Sequence, residues 1–251
     1  MKQFLFIILF GISNLVFSQT DLPYKVGEYA SYKVSFGAIN VGSAELEITE
    51  NGQLNNKPIF HIVGKGRTAP FFDLFFKVRD VYETFIDTIT LLPLQFKRVV
   101  NEGSHLINQQ YKFNHNDSRV ITQSSSFFIP INTQDMLSAF FFARTFKKED
   151  IITGQSFYIP VFMDDENYIL EIKYLTNEII DAKWGKIDCM VFQPKMQEGR
   201  VFEDGEKMKI WITDDANHLL LKVETEIFVG TIKAVLEDYK ELKNPLSIIG
   251  E

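Results

Sequence analysis

Apolar and polar residues alternate through most of this chain, and a period of two is the mark of a half-buried strand. In EYASYKVSF, Ala30, Tyr32, Val34 and Phe36 alternate with Ser31, Lys33 and Ser35. In SAELEITE, Ala44, Leu46 and Ile48 alternate with Glu45, Glu47 and Thr49. With GAINVG between them, the two runs predict an antiparallel hairpin with one wet face. NGQLNNKP reads as a loop from its Asn, Gly and Pro content. Strand runs continue in IFHIVGKG, KVRDVYETFID, LPLQFKRVVNEG, HLINQQYKFN, RVITQSSSFF, SFYIPVFMD, NYILEIKYLT, KIDCMVFQP, KMKIWIT, LLLKVETEIF and TIKAVLEDYK. Their separators are turn signals: Asn116-Asp117, Met163-Asp164-Asp165-Glu166, Trp184-Gly185, Asp204-Gly205 and Asp214-Asp215-Ala216-Asn217. Short strands at this spacing, with no helix–strand alternation, predict an all-β, mainly antiparallel fold: one strongly curved sheet or an open barrel. VSFGAINVGSAELEI near the start and TEIFVGTIKAVLEDY near the end share the order strand, Gly, strand. Both hairpins are expected to occupy similar places and to meet where the sheet curls.

Two segments break the alternation. In TAPFFDLFFK, residues 68–77, Phe71, Phe72, Phe75 and Phe76 fall at helical spacing. In TQDMLSAFFFARTF, Met136, Ala139, Phe140 and Ala143 follow i, i+3, i+4, i+7, with Leu137, Phe141 and Arg144 as a neighbouring stripe. Asn132 or Thr133 can cap this helix, Asp135 suits its first turn, and Lys147 and Lys148 suit its end. The pattern predicts one central, largely buried helix at about 133–146, with Phe140 in the core. Arg144, on so apolar a segment, needs an acidic partner from a strand, for instance Asp80 or Glu83.

The first 18 residues, MKQFLFIILFGISNLVFS, stand apart. Lys2 gives a positive start, Phe4 to Phe10 a short apolar stretch, and Val16 and Ser18 the residues before a cleavage point. That is the pattern of a secretory signal peptide, Met1 to Ser18, and it predicts export to the periplasm or cell envelope. No Cys follows the apolar stretch, which argues against lipoprotein-type attachment, and no later segment reaches transmembrane length. The remaining residues, 19–251, carry no Pro/Ser/Gly-rich linker and read as a single β-rich domain. At 45% hydrophobic residues the chain can fill a sizeable core. A net charge of −7 without any basic block argues against nucleic acid as a partner.

Candidate chemistry is sparse. Cys189 is the single cysteine and sits in an apolar run, as a buried inert thiol would. His61, His105, His115 and His218 show no metal-ligand spacing, and no glycine-rich phosphate loop or G-x-S-x-G elbow occurs, so neither a metal nor a cofactor is expected. Asp164-Asp165 and Asp214-Asp215 sit among turn residues and are explained by turn chemistry. Two carboxylates of a glycosidase need not be neighbours in sequence, so that reading stays open. Phenylalanine is the strongest departure: 24 residues, clustered at 71–72, 75–76, 127–128 and 140–142. One reading is a cavity for an acyl chain or similar ligand, lined by Phe72, Phe75, Phe76, Met136, Phe140 and Arg144. The other is an ordinary core. The leading expectation is non-catalytic binding of a hydrophobic or lipid-like envelope component; an envelope glycan hydrolase and an assembly factor for an envelope protein partner are the alternatives.

Three stretches carry a resemblance. Gly27-Glu28 with Tyr32 and Val34, the set Asp80, Tyr82, Thr84, Ile86 and Asp87, and the run Asp135 to Ala139 resemble, in this order, the bacterial envelope proteins of the domain-of-unknown-function family numbered 3108. The likeness covers about residues 24–240. It implies an exported, β-rich protein and assigns no catalytic residue. At fold level the pattern is also similar to periplasmic open-barrel lipoprotein carriers, an analogy that carries no function.

Overall fold

The computed structural model describes residues 21–195, 208–227 and 230–250. The signal-peptide reading of Met1 to Ser18 and the turn at Asp204-Gly205 lie outside the described residues. The alternating runs form strands β1 (Tyr29–Phe36), β2 (Ile39–Leu54), β3 (Lys57–Thr68), β4 (Arg79–Asp87), β5 (Pro93–Glu102), β6 (His105–Asn114), β7 (Arg119–Ile121), β8 (Ser126–Phe128), β9 (Ser156–Met163), β10 (Glu166–Ala182), β11 (Gly185–Lys195), β12 (Met208–Thr213), β13 (Leu220–Ile227) and β14 (Gly230–Lys240). One helix, α1 (Met136–Ala143), separates β8 from β9.

All fourteen strands make one antiparallel sheet, ordered β8-β7-β6-β5-β4-β3-β2-β1-β14-β13-β12-β11-β10-β9. The first and last hairpins do meet: β1 pairs with β14 from Tyr29↔Lys240 to Phe36↔Ile232. The sheet is therefore two meanders joined at the chain's two ends. It does not close. Among the described residues no ladder joins the edge strands β8 and β9; instead Gln134 bridges to Val161 and the Asn167 amide donates to the Phe128 carbonyl at 2.7 Å. Phe162 of β9 packs with Phe96, Tyr111, Phe113 and Val120 of β5–β7, so the sheet curls until one edge rests on its own far half.

Several expectations are corrected here. NGQLNNKP is not a long loop. Strands run through Leu54 and restart at Lys57, and only Asn55 and Asn56 turn, with φ of 53° and 62°. Asparagine tolerates this left-handed backbone, so a two-residue hairpin turn suffices. RVITQSSSFF splits into β7 and β8, because the Thr122 hydroxyl accepts from the amides of Ser124 and Ser125 and folds the run back. TAPFFDLFFK forms only a single tight turn at Phe72–Leu74. The predicted 133–146 helix is regular only over Met136–Ala143, with tighter bonds continuing to Phe146. Its cap is Asp135 rather than Asn132 or Thr133, because Gln134 is still extended, bonded to Pro160 and Phe162 of β9.

Candidate functional site

The two apolar stripes of α1 do different work. Leu137 and Phe141 face the β2–β4 wall. Phe141 is 1% exposed among Tyr24, Ile48, Phe60, Ile62 and Ile86, and the absent side chain of Gly64 leaves room for Leu137. The buried ring is thus Phe141, and Phe140, expected in the core, is half-buried beside it. Met136, Ala139, Phe140 and Ala143 look the other way, into a cavity of about 480 Å³. The opposite wall comes from β9–β12, including Leu170, Ile172, Met190 and Phe192. This volume lies within the roughly 300–1,000 Å³ range of small-molecule pockets.

Both ends of α1 are pinned by buried polar groups. At the start, the Asp135 carboxylate accepts from the amides of Leu137 and Ser138, each at 2.9 Å, and from the Thr84 hydroxyl at 2.6 Å. The Ser138 hydroxyl accepts from the Asp135 amide at 2.8 Å, completing a reciprocal cap. At the end, the Arg144 guanidinium donates to both oxygens of Glu28, at 2.5 and 3.1 Å, and to the Asn217 carbonyl at 2.9 Å. His218 Nδ1 donates to the Arg144 carbonyl at 2.6 Å. The partner of Arg144 is therefore Glu28, at the mouth of β1, and neither Asp80 nor Glu83. Rings of Tyr24 and Phe141 lie 5.1 and 5.2 Å from the guanidinium carbon. The three stretches that carried the family resemblance meet here, since Glu28, Thr84, Asp135 and Ser138 are the residues that hold the helix.

Burial raises the Asp135 carboxyl from 3.8 to about 6, against hydrogen bonds from Ser138, Thr84 and Leu137 that lower it. A carboxyl held high in the folded state gives stability that is complete below its unfolded value and is lost as pH rises through its folded one. Asn accepts the same two amide bonds and carries no proton to lose. Asp135→Asn should therefore abolish a decline in unfolding free energy of about 3 kcal/mol that the wild type shows between roughly pH 4 and pH 6. Urea titrations of both proteins across that window check it; parallel curves would refute the assignment.

A second polar group lines the cavity. Arg98 of β5 is 5% exposed, donates to Gln109 at 2.6 Å and pairs with Asp164 from the β9–β10 turn. Asp164 and Asp165 have φ of 52° and 61°, the two-residue turn expected of them, but Asp164 also neutralises Arg98. Tyr82, above Arg98, has its phenol pushed up to about 12, chiefly by burial. On the same sheet face Glu102 is in hydrogen-bond contact with Asp80, and burial followed by the Asp80 charge raises its pKa. Two carboxylates in hydrogen-bond contact are closer than the separation of about 5 Å or more that flanks a glycosidic bond. Cys189 is fully buried and its thiol is pushed up to about 12, again chiefly by burial. Among the described residues no group of three His, Cys, Asp or Glu side chains is placed to hold a metal.

Of the six residues expected to line a cavity, Met136, Phe140 and Arg144 do border this one. Phe72, Phe75 and Phe76 do not: they sit on the β3–β4 turn, where Phe75 is 76% and Phe76 54% exposed. Helical spacing brought them into the expectation, but a single tight turn has no second face to bury. Sequence reading missed Arg98, Asp164, Tyr82, His218 and the β9–β12 wall. The wall had a signal: Tyr168, Leu170 and Ile172 alternate with Ile169, Glu171 and Lys173.

A model of the family described as protein of unknown function (DUF3108) matches residues 31–237. The chain belongs to this DUF3108 family. No curated protein matches it. Among solved structures, a beta-barrel-like protein of domain of unknown function DUF1849 from Brucella abortus is similar at 9% identity and a TM-score of 0.53, with 87% of this chain and 99% of that one covered. A DUF1089 family protein from Pseudomonas aeruginosa aligns at 11% identity and a TM-score of 0.42, over 83% of this chain and 94% of that one. The first likeness supports the fold of the DUF3108 chain and nothing further about its chemistry.

Proposed function

We propose that this DUF3108 protein is exported and binds a hydrophobic or lipid-like component of the cell envelope in the cavity beneath α1, without bond-making chemistry. One observation carries the reading. A helix that could have packed flat instead turns Met136, Ala139, Phe140 and Ala143 toward empty space of about 480 Å³, across from an apolar strand wall. Space of this kind is rare in a close-packed core and is the usual form of a ligand site. Its two arginines are each matched by a carboxylate, Arg98 by Asp164 and Arg144 by Glu28. They offer hydrogen bonds at the wall but little net charge, which suits a ligand dominated by its apolar body. The signal-like pattern at Met1 to Ser18 supports a ligand met in the periplasm or envelope.

Native mass spectrometry of protein purified from its own envelope should find a co-purifying apolar mass, and a fluorescent fatty-acid probe should compete for the same site. Ala143→Phe fills the space from the helix side and should weaken probe binding by at least about tenfold, or 1.4 kcal/mol, while the melting temperature holds. A protein that is empty from its native source, and whose probe binding ignores Ala143→Phe, would overturn the reading.

A further inference from the structure

The β3–β4 turn presents Phe71, Leu74, Phe75 and Phe76 at 66%, 81%, 76% and 54% exposure, within six consecutive residues. Four large apolar side chains so close together are not the scattered exposure of an ordinary surface. The turn is also braced in this form. Asp73 accepts from the Thr68 hydroxyl at 2.5 Å and from both terminal nitrogens of Arg79 at 3.0 and 2.5 Å. The Phe75 and Phe76 amides close on the Phe72 carbonyl at 3.0 and 2.9 Å, and the Phe76 ring rests on Gly103 of the β5–β6 turn. The polar residue of the turn faces inward to hold it and the rings face outward.

The charge around the rings is positive outward. Lys65, Arg67 and Lys77 are exposed. In the Arg67–Glu45 pair the cation's side chain is 63% exposed and the carboxylate's 28%; in Arg79–Asp73 the values are 39% and 23%. Glu45, Asp73, Asp80 and Glu102 balance these cations in number but are each less exposed, so the outermost charges beside the rings are Lys65, Arg67 and Lys77. Strand register fixes where this patch lies. The β3 end at Thr68 aligns with the start of β2, and the pairings Phe36↔Ile39, Phe36↔Ile232, Ile227↔Gly230, Met208↔Thr225 and Phe192↔Ile210 carry that same end across β1, β14, β13, β12 and β11. Lys195 and Met208, at that end of β11 and β12, belong to the cavity wall. The braced rings and one end of the cavity share a single end of the sheet.

We infer that this end docks on a lipid bilayer, with Phe71, Leu74, Phe75 and Phe76 entering the headgroup–acyl boundary and Lys77, Arg67 and Lys65 meeting anionic headgroups. Aromatic and aliphatic side chains backed by cations are the chemistry of an interfacial anchor. The inference goes beyond the binding reading and does not need the cavity to be filled.

Vesicle flotation tests it, with wild type and variants prepared identically so that the apolar N-terminal stretch contributes equally to all. Wild type should float with phosphatidylethanolamine–phosphatidylglycerol vesicles. Phe71→Ser, Phe75→Ser and Phe76→Ser combined should cut the bound fraction at least about tenfold. Because these rings are exposed, the melting temperature should hold. Arg67→Glu with Lys77→Glu should weaken binding to the anionic vesicles and leave any binding to phosphatidylcholine vesicles unchanged. Phe75→Trp offers a reading that survives poor folding of the triple variant: its emission should shift to the blue on adding anionic vesicles, relative to the Trp184 and Trp211 background. Absence of wild-type flotation would overturn the inference, as would equal flotation of the ring variant. So would a concentration-dependent dimer abolished by the ring substitutions while flotation persisted, which would assign the rings to a second copy of this chain. Fatty-acid probe binding that survives in a non-floating ring variant would separate the docking surface from the cavity.

Discussion

Glu28→Ala is expected to destabilise the protein by about 3–5 kcal/mol. Arg144 is 3% exposed, and its guanidinium donates to both carboxylate oxygens of Glu28 and to the Asn217 carbonyl. Removing Glu28 leaves a buried cation beside the rings of Tyr24, Phe140 and Phe141 without its carboxylate. The wild-type pair itself is worth far less than that figure, since both ions were desolvated to make it. Exchanging both together, as Glu28→Leu with Arg144→Met, should therefore recover most of the loss. Urea denaturation of the two singles and the double measures the coupling. A double variant no better than the sum of its singles would mean that the pair does not act as a unit.

Phe141→Ala should cost a similar amount, about 3–5 kcal/mol, through a cavity that nothing nearby can collapse to fill. The ring meets Tyr24 edge-on at 5.1 Å and is closed in by β2, β3 and β4. Phe140→Ala should cost distinctly less, because that ring already borders open space and its loss enlarges a void that exists. The comparison is diagnostic for adjacent residues of one helix. Thermal and urea unfolding that ranked Phe140 above Phe141 would reverse the orientation of α1 and remove the cavity from its present place.

The strands were legible because alternation is a local property: each run of Ala30, Tyr32, Val34 and Phe36 type declares a face without reference to anything distant. The meeting of the first and last hairpins was legible for a related reason, since both repeat the order strand, glycine, strand. What local pattern does not encode is the identity of a distant partner. Arg144 plainly needed an anion, but Asp80, Glu83 and Glu28 are equivalent in sequence, and only the curl of the sheet brings Glu28 to the helix end. The phenylalanines failed for another reason. Clusters at 71–76 and 140–142 look alike in composition, yet one is bent outward by Asp73 and Arg79 and the other enclosed by strands. Whether a greasy run is core or surface depends on what the sheet wraps. In α1 the two stripes were read correctly as stripes; which of them met the wall and which the void was set by the strap at Gln134, whose pairing with Val161 carries no signature of its own.

The seam between β1 and β14 has a kinetic consequence. Every other ladder joins neighbours in the chain and can zip as it is made, whereas Tyr29 and Lys240 are separated by nearly the whole molecule. Closing so long a loop is entropically slow, and contacts that depend on it, including Glu28 with Arg144 across the same join, cannot mature first. Each meander alone has an unsatisfied edge where the other should be. β14, the last strand of the described residues, thus completes the middle of the sheet, and a chain truncated before it would be held open at its centre and prone to pairing with its neighbours.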